Sequence, residues 1–98
     1  MRRRRPLPAD IRAVLSAYEG DYRFPDGAIS HVSRSGDSLY TEVPGYGRVE
    51  LLFDARDRFR VLEFDATGKP EMGPDGKIAA LIVQSYGDPK PTRTVRVP

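Results

Sequence analysis

The sequence contains no cysteine and no tryptophan. Without cysteine the chain forms neither a disulfide nor a thiolate metal site. A single histidine leaves too few ligands for an ordinary zinc site. No apolar run approaches the roughly 20 residues that a membrane-spanning helix needs, so we expect no membrane partner. These absences predict no metal and no cofactor, and they leave the cellular compartment open.

Basic charge is concentrated in one short segment. The arginines at residues 2–5 supply four of the 16 basic residues, and the 12 that remain are outnumbered by 14 acidic ones. Because a Pro-Leu-Pro segment follows in place of an apolar stretch, we expect that this run is not the start of a signal peptide. We predict a flexible basic arm over residues 1–7 and a single domain over residues 8–98. The acidic balance of that domain argues against a nucleic-acid partner.

One short helix is predicted near the N-terminus. An apolar stripe at helical spacing is formed by Ile11, Val14, Leu15 and Tyr18. Gly20 is suited to end the helix because it tolerates positive φ without a Cβ clash. A helix of about three turns gains little from its own hydrogen bonds. We therefore expect the stripe to pack against the rest of the fold.

Turn signals rich in glycine, proline and aspartate recur about every 8 to 13 residues after the helix, which is typical of consecutive antiparallel strands. The sixth of the eight predicted strands is placed at an edge or in a loop, because Pro70 cannot donate to a ladder. Thr67-Gly68 before it is predicted to be a turn. The predicted strands are residues 21–24, 28–34, 38–43, 48–53, 58–64, 69–72, 77–86 and 92–97.

An eight-strand antiparallel meander usually closes into a barrel, because closure removes exposed strand edges. We therefore predict a mainly β fold: a small antiparallel eight-strand meander barrel with one short N-terminal helix. An open sheet or a sandwich is the alternative. A parallel α/β sheet is not expected, because helices and strands do not alternate.

The sequence shows no catalytic constellation. His31 would have to serve any Ser-His-Asp triad, and the serines beside it are neighbours only in sequence. Neither a G-x-S-x-G elbow nor an S-x-x-K motif is present. The aspartates Asp54, Asp57 and Asp65 flank one hairpin, but their spacing matches no calcium-binding loop and aspartate is common in turns. We expect the chain itself not to be an enzyme.

Tyrosine and arginine side chains are the candidates for contact with a ligand. Tyr46 lies between two glycines in a predicted loop, which favours an exposed contact role. Tyr40 lies in a strand and is open to two interpretations, a core or rim residue with a polar tip or a contact residue. The predicted ligand-binding residues are Tyr40, Tyr46 and Arg60.

A series of motifs runs through nearly the whole chain: Leu15-x-x-Tyr18-x-Gly20-x-Tyr22, Pro25-Asp26-Gly27, Leu39-Tyr40-x-x-x-Pro44-Gly45, Arg58-Phe59 and Asp75-Gly76-Lys77-Ile78-x-x-Leu81-x-x-Gln84. The series resembles the small domain of unassigned function appended to the C-terminal side of bacterial beta-lactamase-like and penicillin-binding-protein-like serine hydrolases. The resemblance covers residues 8–97 and implies a lipocalin-like barrel with a short N-terminal helix. Where that family has a strand ending in an aromatic residue, this chain has Lys69-Pro70-Glu71-Met72, which leaves open whether the barrel closes at residues 67–74.

The resemblance implies a non-catalytic accessory domain that shapes substrate access or makes domain and oligomer contacts. Its partner would be a serine hydrolase domain in the same native chain, in a periplasmic or secreted bacterial protein. The catalytic serine and lysine of the family belong to that partner domain and have no matching positions here. Two other classes remain open, a free-standing lipocalin-like binder of a small apolar or amphiphilic ligand and a nucleic-acid-binding barrel with an arginine arm.

Overall fold

A computed structural model describes residues 11–55 and 58–98 of the chain. The predicted arm at residues 1–7 lies outside these residues. A 3-10 turn, Leu62–Phe64, follows the fifth strand. The helix and the eight strands are α1 (Ile11–Tyr18), β1 (Gly20–Arg23), β2 (Ile29–Ser35), β3 (Ser38–Val43), β4 (Gly47–Ala55), β5 (Arg58–Val61), β6 (Ala66–Met72), β7 (Ile78–Ser85) and β8 (Thr92–Val97). None of the helices in this described part is long and apolar enough to span a bilayer.

The eight strands form a closed antiparallel barrel in sequence order, with β1 hydrogen-bonded to β8. The predicted mainly β fold and its closure are therefore confirmed. In such a meander the connections alternate between the two ends of the barrel. We call one end the mouth and define it by four connections, residues 24–28, 44–46, 62–65 and 86–91. Helix α1 and the β2–β3 and β6–β7 turns lie at the opposite end, the helix end.

Helix α1 packs on the helix end through its predicted stripe. Leu15 and Tyr18 are 1% and 2% exposed. The Tyr18 ring makes an edge-on contact with Phe53 at 4.9 Å between centroids, and a second with Phe59 at 6.2 Å. Such edge-to-face pairs add to the energy of burial. The helix therefore closes one end of the barrel with an aromatic cluster.

Arg96 on the last strand holds the C-terminal end of α1. Its guanidinium donates to the carbonyl oxygen of Ala17 at 3.1 Å and also to that of Glu19. A further, longer bond runs to the carbonyl of Ile78 at 3.4 Å. The last carbonyls of a helix have no partner within the helix, so a cation placed there satisfies them and opposes the helix dipole. Gly20, with φ of 142°, makes room for this guanidinium, because a Cβ there would lie 3.2 Å from Nε of Arg96.

The fifth strand ends earlier than predicted. Residues 62–64 form a 3-10 turn in place of the end of a strand, so the prediction of a strand over 58–64 was wrong for its last three residues. The chain reverses at Asp65, which has φ of 49° and donates its backbone N–H to the carbonyl of Leu62 at 3.2 Å. Aspartate tolerates this left-handed conformation better than most residues. The turn between β5 and β6 therefore lies at residues 62–65.

Gly68, predicted to lie in a turn, lies inside β6, which begins at Ala66 and pairs with both β5 and β7. The prediction of an edge or loop in this region was therefore wrong. Phe59 is directly opposite Gly68 in the ladder, and its ring lies over the glycine, where a Cβ would come within 2.2 Å of the ring. The ladder between β5 and β6 extends only as far as Gly68. Pro70 lies beyond it, so the missing N–H of Pro70 removes no hydrogen bond between these two strands. The barrel closes through this strand.

Candidate functional site

The barrel encloses a cavity of about 210 Å3 that faces the mouth. Most of its wall is built from the inward-facing residues of the strands, which alternate with outward-facing ones because the side-chain period of a strand is two. Residues of three mouth connections complete the wall. Most of the lining is apolar. Aromatic and aliphatic members of the lining include Tyr22, Phe24, Val32, Val43, Tyr46, Val49, Leu51, Phe59, Val61, Phe64, Ala66, Leu81 and Val83.

A few hydroxyl groups interrupt this apolar wall. Ser30 and Thr41 are buried and hydrogen-bond to each other across β2 and β3. Thr94 is buried as well and donates its hydroxyl to the carbonyl of Leu81 at 3.2 Å. A hydroxyl that donates in this way still has acceptor capacity. The cavity is thus an apolar space with a small number of fixed polar groups, which is the usual composition of a small-molecule site.

The mouth of the cavity is marked by Tyr46. Its side chain lines the cavity and is 74% exposed, so the cavity meets solvent here. The ring packs edge-on against Phe64 with 4.6 Å between centroids. Two glycines position it, because Gly45 and Gly47 adopt φ of 85° and 95°, values that favour glycine. An aromatic pair therefore stands at the entrance.

Tyr22 connects the cavity with the helix end. Its ring lines the cavity, and its hydroxyl donates to the carbonyl of Tyr18 at 2.8 Å. Burial raises the pKa of the Tyr22 phenol, and the nearby Arg96 guanidinium partly opposes that rise. Tyr22 therefore stays neutral at ordinary pH and holds the end of α1 against the barrel.

The structure distributes the three predicted ligand-binding residues over two surfaces. Tyr46 lines the cavity. Tyr40 is on the outer wall, where the guanidinium of Arg48 lies 4.0 Å from the centre of its ring. Arg60 is also exposed on the outer wall, between Leu52 and Thr67 in the ladder. The structure therefore does not bring the three together, and a ligand contact by any of them stays a prediction.

Sequence reasoning missed two aromatic residues at the mouth, Phe24 and Phe64. Phe24 directly precedes the predicted turn at Pro25, and Phe64 was placed at the end of a strand. Position beside the turn at Pro25 is the signal that could have found Phe24, whereas no glycine or proline marks the turn beside Phe64. In β3, Thr41 lies on the same face as Leu39 and Val43, as the two-residue period of a strand requires, and that face is the one turned inward.

His31 lies on the outer wall of β2, with its Nδ1 2.5 Å from a carboxylate oxygen of Asp21. The adjacent Ser30 points into the barrel, where it is bound to Thr41. The two residues therefore lie on opposite faces of the strand and do not act on one substrate atom. Across residues 11–55 and 58–98, no group of three or more histidine and carboxylate side chains is arranged to hold a metal ion. Asp57, from the acidic hairpin considered above, lies outside the described residues.

Comparison with known proteins gives a distant likeness. The chain is 26% identical over 82 residues to "Penicillin-binding protein 4*" of Bacillus subtilis (strain 168). This match covers 84% of the chain and 18% of that protein. The chain thus spans less than a fifth of the length of the curated relative it matches. No model of a protein family matches the chain, and no solved structure matches it.

Proposed function

We propose that the chain is a non-catalytic accessory domain of a bacterial serine hydrolase of the penicillin-binding-protein type. In this proposal residues 8–98 form one lipocalin-like barrel. The proposal rests on the unequal coverage of the sequence match, which includes most of this chain but under a fifth of the relative. Such a match is what a small domain attached to a much larger protein produces.

The fold supports a role as an attached domain. The barrel has its own core, with Phe59, Leu39 and Tyr22 each 1% exposed. Its eight described strands close on one another, so none of them is an edge strand that could pair with another molecule. Arg96 and Leu15 fix α1 to the barrel. A helix fixed in this way would orient a domain that precedes it. The domain would then shape access to a neighbouring active site, or hold two copies of the enzyme together.

Covalent labelling tests this proposal. Source cells are treated with a fluorescent penicillin or a fluorescent fluorophosphonate, two reagents that modify active-site serines. An antibody raised against the chain then captures the native gene product. We expect the captured material to contain a labelled polypeptide, either the same polypeptide or one that stays bound to it. The isolated 98-residue chain is expected to take up no label.

Two controls accompany the capture. Prior treatment with unlabelled penicillin or unlabelled fluorophosphonate should remove the corresponding signal, and an excess of purified chain should compete for the antibody. Captured gene product without any label would contradict the proposed hydrolase partner. Label on the isolated chain would contradict its non-catalytic role.

The cavity favours a second candidate function, binding of a small apolar or amphiphilic ligand. Its volume of about 210 Å3 exceeds the roughly 150 Å3 of an apolar protein cavity that admits benzene. Saturating benzene should therefore raise the thermal midpoint of the chain, because a ligand that binds only the folded state stabilises it. In Ala66→Leu, which places a larger side chain in the cavity, the rise should disappear. An equal rise in both proteins would show that benzene acts elsewhere.

A further inference from the structure

The wall of the cavity has two unlike halves. Strands β4, β5 and β6 contribute only apolar side chains to it, and these are Val49, Leu51, Phe59, Val61 and Ala66. The other five strands form one continuous arc, because the barrel closes between β1 and β8. Every strand of this arc contributes at least one hydroxyl group to the lining, from Tyr22, Ser30, Thr41, Ser85, Thr92 and Thr94. The polar groups that the strands supply are therefore confined to one side of the cavity.

Four of these six hydroxyl groups already have partners within the protein. Tyr22 donates to a carbonyl of helix α1 at 2.8 Å. Ser30 and Thr41 are hydrogen-bonded to each other, and Thr94 donates to a carbonyl of β7 at 3.2 Å. These bonds use most of the donor capacity of the four groups, so we look to the remaining two for contacts with a ligand.

The remaining two, Ser85 and Thr92, lie side by side at the mouth. Ser85 ends β7 and Thr92 begins β8, so they flank the mouth connection at residues 86–91. Thr92 pairs with Val83, two positions before Ser85, which makes the two residues diagonal neighbours on the inner face of the barrel. Both side chains are half-buried, and in the part of the chain that the structure describes neither hydroxyl is hydrogen-bonded to another residue. Each can therefore donate one hydrogen bond to a ligand and accept others from it.

The lining offers no charge to a ligand. All the described residues that surround the cavity have uncharged side chains. A charged group placed inside would lose part of its water without gaining an opposite charge, which is costly. An uncharged polar group loses less and can be compensated by one or two hydroxyl groups. The cavity therefore favours a neutral molecule.

From this arrangement we propose that the cavity binds small neutral alcohols and phenols, with the ligand hydroxyl at the mouth on Ser85 and Thr92. The apolar part of the ligand, one aromatic ring or a short alkyl chain, lies in the barrel against the apolar half of the wall. The volume of about 210 Å3 sets this size. The inference rests on the second candidate function above, and it adds to that function the polarity and the orientation of the ligand.

Four probes of nearly equal size test the inference: toluene, benzyl alcohol, benzylamine and benzoate. Each is titrated at neutral pH into the 15N-labelled chain, and dissociation constants are taken from the amide shifts of cavity residues. We expect benzylamine, which is a cation at this pH, and benzoate each to bind at least about threefold more weakly than benzyl alcohol, because neither charge has a partner in the lining. Tightest binding of either charged probe overturns the preference for neutral ligands.

A double variant tests the two hydroxyl groups. Ser85→Ala with Thr92→Val removes both groups and changes the volume of the lining little. We expect it to weaken benzyl alcohol about three- to tenfold and to change toluene, which makes no hydrogen bond, by less than about twofold. The matched control, Ser33→Ala with Thr67→Val, makes the same two changes on the outer wall and should alter neither constant. An unchanged affinity for benzyl alcohol in the double variant, or an equal loss for both probes, overturns the role of these hydroxyl groups.

A cavity variant separates this inference from the function on which it rests. Ala66→Leu places a larger side chain in the apolar half of the lining, and we expect it to weaken toluene and benzyl alcohol alike, by about tenfold or more. Amide spectra of each variant establish that the fold is retained. Binding of toluene without binding of benzyl alcohol overturns this inference and leaves the second candidate function intact. No binding of any probe, or binding that Ala66→Leu leaves unchanged, overturns both.

Discussion

Gly68→Ala is the sharpest single test of the barrel interior. The added Cβ would lie 2.2 Å from Cζ of Phe59, with two more ring atoms within 2.9 Å. Non-bonded carbons prefer about 3.5–4.0 Å. Phe59 is 1% exposed, and it contacts the rings of Tyr18 and Phe53. The ring also lines the cavity. The substitution therefore has to displace the ring either against the aromatic cluster under the helix or into that cavity.

The expected cost follows from two opposing contributions. Overpacking a core of native density costs about 1–3 kcal/mol. Replacing glycine with alanine also restricts the unfolded chain, which returns about 0.4–1 kcal/mol. We therefore expect Gly68→Ala to lower the free energy of unfolding by about 1–2 kcal/mol, measured by urea denaturation with circular dichroism. Thr67→Val, at the exposed neighbouring position, is the control and should change it by less than about 0.5 kcal/mol.

A double-mutant cycle tests the cause. Phe59→Leu removes the ring and costs about 1–2 kcal/mol through lost burial. If the clash with the ring is the reason for the loss, Gly68→Ala should cost little in the Phe59→Leu background, and the two substitutions should couple by about 1 kcal/mol or more. Additive costs, or a loss below about 0.5 kcal/mol for Gly68→Ala alone, would refute the proposed packing of Phe59 on the glycine.

Three further predictions concern the helix and one ion pair. Leu15→Ala should lower the free energy of unfolding by about 2–5 kcal/mol in urea denaturation, because it opens a cavity under the helix. The control Ser16→Ala, at an exposed position, should lower it by under about 0.5 kcal/mol. Equal small losses of stability would mean that the helix is not docked. Arg96→Met should cost about 1–3 kcal/mol in the same assay, because it leaves the carbonyls at the helix end without their donor. Arg93→Met, which removes an exposed pair with Glu71, should lower the stability less than Arg96→Met does, because solvent screens exposed pairs. The reverse order would contradict the role given to Arg96. The hydrogen bond from Arg93 lowers the pKa of Glu71 from its ordinary value of 4.5. The stabilising effect of this bond is therefore present above pH 4.5 and is lost as the pH falls through the lowered pKa. Thermal midpoints of the parent and Arg93→Met should converge in acid, and a difference that widens there would contradict this assignment.

The periodic features of the fold could be predicted from the sequence. Clusters of turn residues mark the strand ends, and five of the eight predicted strands agree with the observed ones to within one residue at both ends. The helical stripe at Leu15 and Tyr18 is buried as expected. The alternation in β3 groups Leu39, Thr41 and Val43 on one face, and the structure shows that this face is the inward one. These features are encoded locally, because strand and helix periods and turn chemistry act over a few residues.

The candidate site could be predicted only in part. Tyr46 was found because two flanking glycines mark an exposed loop, and it lines the cavity. Tyr40 and Arg60 carry no local signal that tells the inside of a barrel from the outside, and both are on the outer wall. Phe64 reaches the mouth because the chain turns at Asp65. That turn contains no glycine or proline, so nothing in the sequence marks it as a turn.

The sequence by itself determined a β meander with one docked helix, because hydrophobic period and turn residues are properties of short segments. Tertiary structure alone decided what Gly68 and Arg96 do. Gly68 reads as a turn residue until Phe59 is placed opposite it in the closed barrel. Arg96 donates to the carbonyl of Ala17, 79 positions earlier in the chain. Contacts of this kind arise only when barrel closure brings distant segments together, so no local pattern specifies them.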